Sequence, residues 1–139
     1  GEIAAGGCWC GDDQFVYLTM DEAWRPDTCW RHTLGGGAVE LLHEDDERFW
    51  LGAAESRDRK WVSIALASKT SSETWLLPAG DPDAVPQVVA ARRPEVEYDV
   101  EVGSDRLYIV HNDGAPDFAL AWAPLDSHSA QDWQELRAG

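Results

Sequence analysis

Apolar and polar residues alternate in short runs along the chain, and the runs recur at a regular interval. Three β-prone apolar runs each follow a polar turn that carries an aspartate, and each is followed by a second run that contains a tryptophan. The landmarks are Asp13, Asp58 and Asp105, and Trp30, Trp75 and Trp122. Both series are spaced by 45 and then 47 residues. Self-similarity at such a period is typical of repeat architectures, and the sequence therefore predicts three repeats.

Each repeat has room for a strand before its first turn and another after its tryptophan run. The leading strands are predicted at residues 7–10, 50–55 and 98–102, and the trailing strands at 39–43, 87–91 and 133–136. Short runs rich in Val, Trp, Tyr, Ile and Thr, bounded by Gly, Pro and Asp, are typical of strands. Four strands in about 45 residues make one blade of a β-propeller. We therefore predict an all-β fold of three consecutive four-stranded antiparallel blades, a partial β-propeller.

Changes in composition place the boundaries between repeats. The acidic run at 44–47 and the run RRPE at 92–95 separate them, so the single domain 1–139 divides into blades 1–45, 46–93 and 94–139. The acidic run could hold a cation, but exposed charge between strands favours a solvated connection. From Ser129 to Arg137 the sequence also resembles a capped helix, whereas the repeat register favours an outer strand there.

Composition excludes several classes of partner. The 139 residues carry 11 basic and 26 acidic side chains, a net charge of −15. Nucleic acids and anionic membranes bind through basic patches, so neither is expected as a partner. No apolar run approaches the roughly 20 residues that a transmembrane helix needs. A hydrophobic content of 44% is enough for a packed core.

Cysteine usage favours a reducing compartment, and we expect a cytoplasmic protein. Cys8, Cys10 and Cys29 are an odd number in a chain of this length. Together with His32 they could form a metal site, but a C-x-C pair is a weaker signal than the usual C-x2-4-C spacing. Buried thiols are the simpler interpretation. The sequence predicts no metal site and no cofactor.

Residues for nucleophilic catalysis are not brought together by any recognisable pattern. A G-x-S-x-G nucleophile elbow is absent from the sequence, and Ser104 lies in a simple turn. His32 and His43 could approach each other within one blade, and His111 could form a His–Asp pair with Asp113. Without a nucleophile, these and His128 assemble no triad. We therefore predict no catalytic, cofactor-binding or metal-binding residue in this chain.

Several ordered sequence words resemble one known family. They are DEAWRP at 21–26, WRH at 30–32, DERFW at 46–50, SKTSSE at 68–73, WLL at 75–77, HNDGA at 111–115 and FALAW at 118–122. This series is similar to the propeller domain of bacterial oligopeptidase B (protease II), in the prolyl oligopeptidase family of serine peptidases. The resemblance extends from about Trp9 to Trp133.

The resemblance implies a larger enzyme. Members join a seven-bladed propeller to an α/β-hydrolase domain with a Ser-Asp-His triad, and the propeller admits only short peptides, cut in this branch after Arg or Lys. This chain matches three consecutive blades and no part of the hydrolase domain, so it is expected to be inactive alone. Its first residue is Gly rather than Met, which also favours a fragment. The implied partners are the remaining blades, the hydrolase domain and short basic peptides.

Two other functions stay open at this point. The chain could be a self-standing β-repeat module that binds other proteins, although three blades would expose faces that favour self-association. It could also be an independent hydrolase or metalloenzyme, for which no residue set is visible. The recurring tryptophans could form a stacking platform, but their period favours packing between blades.

Overall fold

The chain folds into three antiparallel sheets, each made from consecutive strands. The structure is a computed structural model that describes residues 4–9, 14–79, 81, 83–114 and 117–137, with only the backbone described at 4–9 and 137. Sheet 1 has the order β1-β2-β3-β4, sheet 2 β5-β6-β7-β8, and sheet 3 β9-β10-β11-β12. Together with one 3-10 turn (Ala130–Asp132), the strands are β1 Ala4–Trp9, β2 Gln14–Met20, β3 Pro26–Thr33, β4 Ala38–His43, β5 Trp50–Glu55, β6 Trp61–Ala67, β7 Ser72–Pro78, β8 Gln87–Val88, β9 Tyr98–Val102, β10 Arg106–His111, β11 Ala119–Pro124 and β12 Gln134–Arg137. The predicted all-β class is confirmed.

Alternation along the strands divides each sheet into two faces. In β6, Val62, Ile64 and Leu66 are buried, and in the antiparallel register Ile64 lies opposite Trp75 of β7. Successive side chains point to opposite faces, so Leu76 and Leu77 of β7 pack on different sides of sheet 2. Both are buried, and sheet 2 is therefore the middle layer of the molecule.

Two hydrophobic seams hold the layers together. The first seam lies between sheets 1 and 2, and its buried members are Val16, Leu18, Cys29, Phe49, Leu51, Val62, Ile64, Leu66 and Leu77. The second seam lies between sheets 2 and 3, and its buried members are Leu76, Val89, Ala90, Tyr98, Leu107, Ile109, Ala121 and Ala123.

A tyrosine hydroxyl joins sheets 2 and 3 through backbone groups. The Tyr98 hydroxyl donates to the Ala90 carbonyl oxygen at 2.5 Å and accepts from the Thr74 N–H at 2.8 Å and the Ala90 N–H at 3.2 Å. Burial raises the pKa of Tyr98 to about 12, against the hydrogen bonds from Thr74 and Ala90, which lower it. The phenol therefore stays protonated and keeps donating at neutral pH.

Predicted and observed strands differ most at the outer edges of sheets 2 and 3. The strand expected at 87–91 ends at Val88 because the Ala90 backbone bonds the Tyr98 hydroxyl instead of a neighbouring strand. At the C-terminal end, the Ser129 hydroxyl accepts from the Gln131 N–H and caps a single 3-10 turn. Trp133 is already extended and β12 follows, so the outer strand is confirmed and the longer helix is wrong.

The three repeating tryptophans do not share one environment. Trp75 packs against the first seam, as predicted, whereas neither seam includes Trp30 or Trp122. Cys29 and Arg31, the neighbours of Trp30 on β3, are buried on the side that faces sheet 2. Trp30 therefore points away from sheet 2. Ala121 and Ala123 face the second seam, so Trp122 also points outwards, beneath the Arg106 guanidinium at 4.6 Å. Trp30 and Trp75 therefore face the same way along the stack, and of the three Trp122 is the reversed one. An odd change of register reverses the face of a strand residue, which sequence spacing alone does not reveal.

Candidate functional site

The strand connections form two groups at opposite ends of the sheets. The loop end comprises residues 21–25, 44–49, 68–71, 89–97, 112–114 and 117–118, and the turn end comprises 34–37, 56–60, 79, 81, 83–86, 103–105 and 125–128. Hydrogen bonds link neighbouring sheets at the loop end, for example from the Ser72 hydroxyl to the Tyr98 carbonyl oxygen at 2.9 Å. The loop-end connections of neighbouring sheets therefore lie side by side.

His32 and His43 lie far apart in sheet 1. His43 lies opposite Thr28 in the β3–β4 ladder while His32 lies opposite Ala38, and four residues of strand separate them by roughly 13 Å. The proximity considered from the sequence is therefore wrong. His43 Nδ1 is 2.8 Å from the Thr28 hydroxyl, and its Nε2 is 2.8 Å from an Asp45 carboxylate oxygen.

The considered His111–Asp113 pair is not a carboxylate–imidazole contact. The Asp113 backbone N–H donates to His111 Nδ1 at 3.1 Å, and the Asp113 carboxylate instead pairs with Arg93 at 2.9 Å. The His111 ring lies 4.9 Å from the Trp133 ring. Ser104 lies in the turn between β9 and β10, and His128 is exposed at the turn end.

The acidic run at 44–47 shapes a loop through its own hydrogen bonds. Glu44 accepts from the Asp46 N–H at 2.9 Å, and Asp46 forms an ion pair with Arg48 at 2.7 Å. The Arg48 side chain and its N–H lower the pKa of Asp46. Within the described part of the chain, no group of three or more His, Cys, Asp or Glu side chains could hold a metal ion. Cys29 is buried in the first seam; the Cys8 side chain and Cys10 lie outside the described residues.

Arg25 is the central residue of the loop end. Its side chain is buried, with only 5% of the residue exposed. Its guanidinium donates to the carbonyl oxygens of Phe49 at 2.6 Å, Asp46 at 2.9 Å and Glu44 at 3.1 Å, and to an Asp21 carboxylate oxygen at 3.0 Å. One side chain therefore fixes the β2–β3 loop against the connection between sheets 1 and 2.

Arg92 forms a second cationic junction on the same surface. Its guanidinium forms ion pairs with Glu44 and with Glu73, the latter at 3.5 Å, and lies 3.9 Å from the centre of the Phe49 ring. Glu73 also accepts from the Arg92 N–H and the Trp75 indole N–H, both at 2.7 Å. Burial lowers the pKa of Arg92, but its bonds to the two carboxylates raise it overall. Sequence reasoning missed Arg25 and Arg92 because both occur in polar runs typical of loops.

A surface cleft opens beside these junctions. It has a volume of about 490 Å³ and is lined by Glu47, Arg48, Trp50, Ala67, Ser68, Lys69 and Thr70. The Trp50 residue at its edge is 56% exposed. An indole beside cationic and hydroxyl groups is suited to contact with another surface or ligand.

The sequence matches a family that is consistent with these sheets. The family described as prolyl oligopeptidase, N-terminal beta-propeller domain, matches residues 4–137. The chain belongs to this family. It is 39% identical over 127 residues to Protease 2 of Moraxella lacunata, a match that covers 89% of this chain. It is also 39% identical over 108 residues to dipeptidyl aminopeptidase BI of Pseudoxanthomonas mexicana, with 75% of this chain covered.

A solved structure extends the likeness to three dimensions. Oligopeptidase B from Leishmania major superposes with a TM-score of 0.87 and 29% identity, covering 96% of this chain and 19% of that chain. The matches span only 18% of Protease 2 and 15% of the aminopeptidase. The resemblance found in the sequence words is thus confirmed at the level of the family, for a segment that corresponds to less than a fifth of these relatives. No helix among the described residues is long and apolar enough to cross a membrane.

Proposed function

We propose that this chain is a segment of the substrate-gating propeller of an oligopeptidase B-like serine endopeptidase. Each sheet is one four-stranded blade, within 1–45, 46–93 and 94–139, and further blades complete a seven-bladed ring. The parent enzyme is cytoplasmic and cuts short peptides after Arg or Lys in a separate α/β-hydrolase domain. The observation that carries the proposal is the family match over 4–137 together with the face-to-face stacking of three sheets.

The outward face of sheet 3 supports a larger ring. Tyr108 and Val110 lie on the outward face of sheet 3 and are 39% and 44% exposed, and Trp122 shares that face. Large apolar side chains in such an arrangement favour contact with another sheet. The isolated chain is therefore expected to self-associate. Light scattering tests this expectation, and a stable monomer with a sharp unfolding transition would instead favour the self-standing interaction module.

The test of the enzymatic part requires the parent protein. We expect the coding sequence to continue into a hydrolase domain whose serine reacts with a fluorophosphonate probe, and the full-length protein to cleave an Arg-containing fluorogenic peptide. This 139-residue chain is expected to show no such activity. Peptidase activity of the isolated chain, or a full-length protein without a reactive serine, would contradict the proposal.

The net charge of −15 gives the gating role an electrostatic component. A negative, partly enclosed surface concentrates cationic peptides and accelerates their capture, and salt screens this effect. We expect kcat/KM of the parent enzyme for an Arg-containing peptide to fall with rising salt, while a neutral peptide of equal length serves as the control. Equal salt responses for the two peptides would remove the steering component.

A further inference from the structure

A second cavity, the turn-end cavity, opens between sheets 2 and 3. It has a volume of about 330 Å³, at the lower end of the range of about 300–1,000 Å³ that is usual for ligand pockets. Its mouth is polar and includes the exposed residues Asp126 and His128. Its walls are mostly apolar, and they include Trp61, Leu76, Pro78, Val89 and Leu125.

The internal repeat shows which substitution opens this space. Arg31 and Leu76 directly follow the repeating tryptophans of sheets 1 and 2, so they occupy the same position in two successive repeats. Each side chain faces the next sheet and is 4% exposed. The Arg31 guanidinium donates to the carbonyl oxygens of Ala84 at 2.8 Å and Asp81 at 3.4 Å in the β7–β8 connection. Leu76 is shorter and has no N–H group with which to hold the corresponding connection of sheet 3.

The β11–β12 connection is held by contacts within its own segment instead. The Ser127 hydroxyl donates to the Ser129 carbonyl oxygen at 3.3 Å and to an Asp132 carboxylate oxygen at 3.2 Å. Small side chains on the facing strand, Ala121 and Ala123, add little bulk to the second seam. An apolar cavity without side chains to fill it accepts small apolar rings, so the turn-end cavity is suited to the apolar part of a ligand.

The mouth of the cavity indicates the charge of that ligand. Asp126 takes part in no ion pair among the described residues. The indole of Trp61 in the wall also favours a cation, because the face of an aromatic ring carries negative charge density. A net charge of −15 attracts cations to the whole chain. These features together fit an apolar ring that is joined by a short chain to an ammonium group.

We propose that the turn-end cavity binds a small arylalkylamine, with the ring against Trp61, Leu76 and Leu125 and the ammonium group at the Asp126 carboxylate. Both walls belong to this chain, and the site lies at the opposite end of the sheets from the loop-end cleft. The proposal therefore goes beyond the proposed function and does not depend on it. Because the ligand contacts sheets 2 and 3 together, it stabilises the second seam.

Three probes of matched shape test the chemistry of the site. They are phenethylamine, 2-phenylethanol and 3-phenylpropionate, which carry a cation, a neutral hydroxyl and an anion on the same ring. Saturation-transfer NMR on the full-length protein measures their binding. We expect the amine to bind most tightly, with a dissociation constant on the order of 1 mM, and the anion to bind most weakly. No preference for the amine over the alcohol, or an order led by the anion, would overturn the proposal.

Variants at the mouth test the contact with the ammonium group. Asp126→Asn is expected to lower the affinity for phenethylamine by about three- to fivefold and to leave the affinity for 2-phenylethanol unchanged. Asp83→Asn is the matched control, since Asp83 is an exposed carboxylate of the turn end outside the cavity. His128→Gln should not weaken binding of the amine. Equal losses in Asp126→Asn and Asp83→Asn would contradict the assigned contact.

A larger side chain tests the position of the ring. Leu125→Trp fills the cavity at a half-buried residue and is expected to abolish binding of all three probes while circular dichroism stays unchanged. If this variant does not fold, Asp126→Asn still decides the question, because Asp126 is exposed. Binding that both variants leave unchanged would lie elsewhere and would overturn the site.

Amide hydrogen exchange provides a readout of the contact with both sheets. At ten times the dissociation constant, phenethylamine is expected to slow exchange in β10 and β11 about tenfold and to leave β2 and β3 unchanged. Equal slowing in both regions, or none in β10 and β11, would contradict binding between sheets 2 and 3. Peptidase activity enters none of these measurements, so a failure of the proposed function is distinguishable from a failure of this site.

Discussion

The two hydrophobic seams are closed at the loop end by different chemistry. The first seam is aliphatic around Phe49 and is closed by the guanidinium groups of Arg25 and Arg92. The second contains small side chains such as Ala121 and Ala123 and is closed by the Tyr98 hydroxyl, with the Trp133 ring 5.3 Å from the Tyr98 ring. Both solutions satisfy backbone groups that would otherwise be buried without partners. The difference shows that similar sheets can be joined by different side-chain contacts.

The two closures respond to opposite extremes of pH. Hydrogen bonds from the Arg25 N–H and side chain keep the pKa of Asp21 below its usual value. The stability that this carboxylate contributes is present above its unfolded pKa and is lost as the pH falls through the folded value. The Tyr98 pKa is raised, so its contribution is present below pH 10 and is lost as the pH rises towards 12. Acid should therefore weaken the first seam, and alkali the second.

The largest expected effect comes from removing the guanidinium of the first seam. Arg25→Ala leaves three carbonyl oxygens without their donor and the Asp21 carboxylate without its cation, and we expect a loss of about 4 kcal/mol in the free energy of unfolding. Urea unfolding measures it. Arg57→Ala is the control, since the Arg57 side chain is 93% exposed, and should change stability by less than about 0.5 kcal/mol. Equal effects would contradict a special role for Arg25.

The next effect concerns the aromatic wall of the first seam. Trp75→Ala removes a ring that packs on the seam and donates to Glu73, and the expected loss is about 3 kcal/mol. Trp122→Ala is the matched comparison on an outward face, with an expected loss below about 1 kcal/mol in this chain. A change in the free energy of unfolding below about 1 kcal/mol for Trp75→Ala would contradict its packing in the seam. It would favour the interpretation of the ring as part of a binding platform.

A smaller effect is expected in the second seam. Tyr98→Phe removes one hydroxyl and leaves two N–H groups and one carbonyl without that partner, a loss of about 2 kcal/mol at pH 7. The variant should also lose the decrease in stability that the wild-type chain shows between pH 10 and 12. Denaturant titrations across this range measure both. A wild-type decrease that persists unchanged in the variant would assign the alkaline transition to another group.

The smallest effect has the opposite sign. Trp24→Gly relieves a positive φ angle at an exposed position, so the free energy of unfolding should rise by about 0.5 kcal/mol despite the loss of the indole. Gly114→Ala is the converse substitution, because it places a side chain at a φ of 69°. Its free energy of unfolding should decrease, and urea unfolding measures both variants against the wild-type chain. A decrease for Trp24→Gly would show that the ring contributes to stability.

The periodicity of the sequence predicted the three sheets. The contacts between sheets depend on individual side chains and could not be predicted from it. The strands at Trp50–Glu55 and Tyr98–Val102 coincide with the predictions, because alternation and turn residues are local signals. The outward orientation of Trp122 depends on register, and the short β8 depends on a hydroxyl ten residues later along the chain. The one sequence signal for Arg25 is Asp21 four positions earlier in the same turn, a spacing that permits the ion pair seen in the structure. The cleft remained hidden, since it combines residues from two connections about 20 positions apart.

The middle position of sheet 2 has a consequence for local opening. Every sheet is formed by consecutive residues, and each seam joins only successive sheets, so stability propagates through nearest neighbours as in a one-dimensional array. Sheet 2 cannot open without breaking both seams. Within the described part of the chain, opening sheet 1 or sheet 3 breaks only one seam. Amide hydrogen exchange should therefore be slowest in β6 and β7 and faster towards both termini, which makes the centre of the segment its last part to exchange.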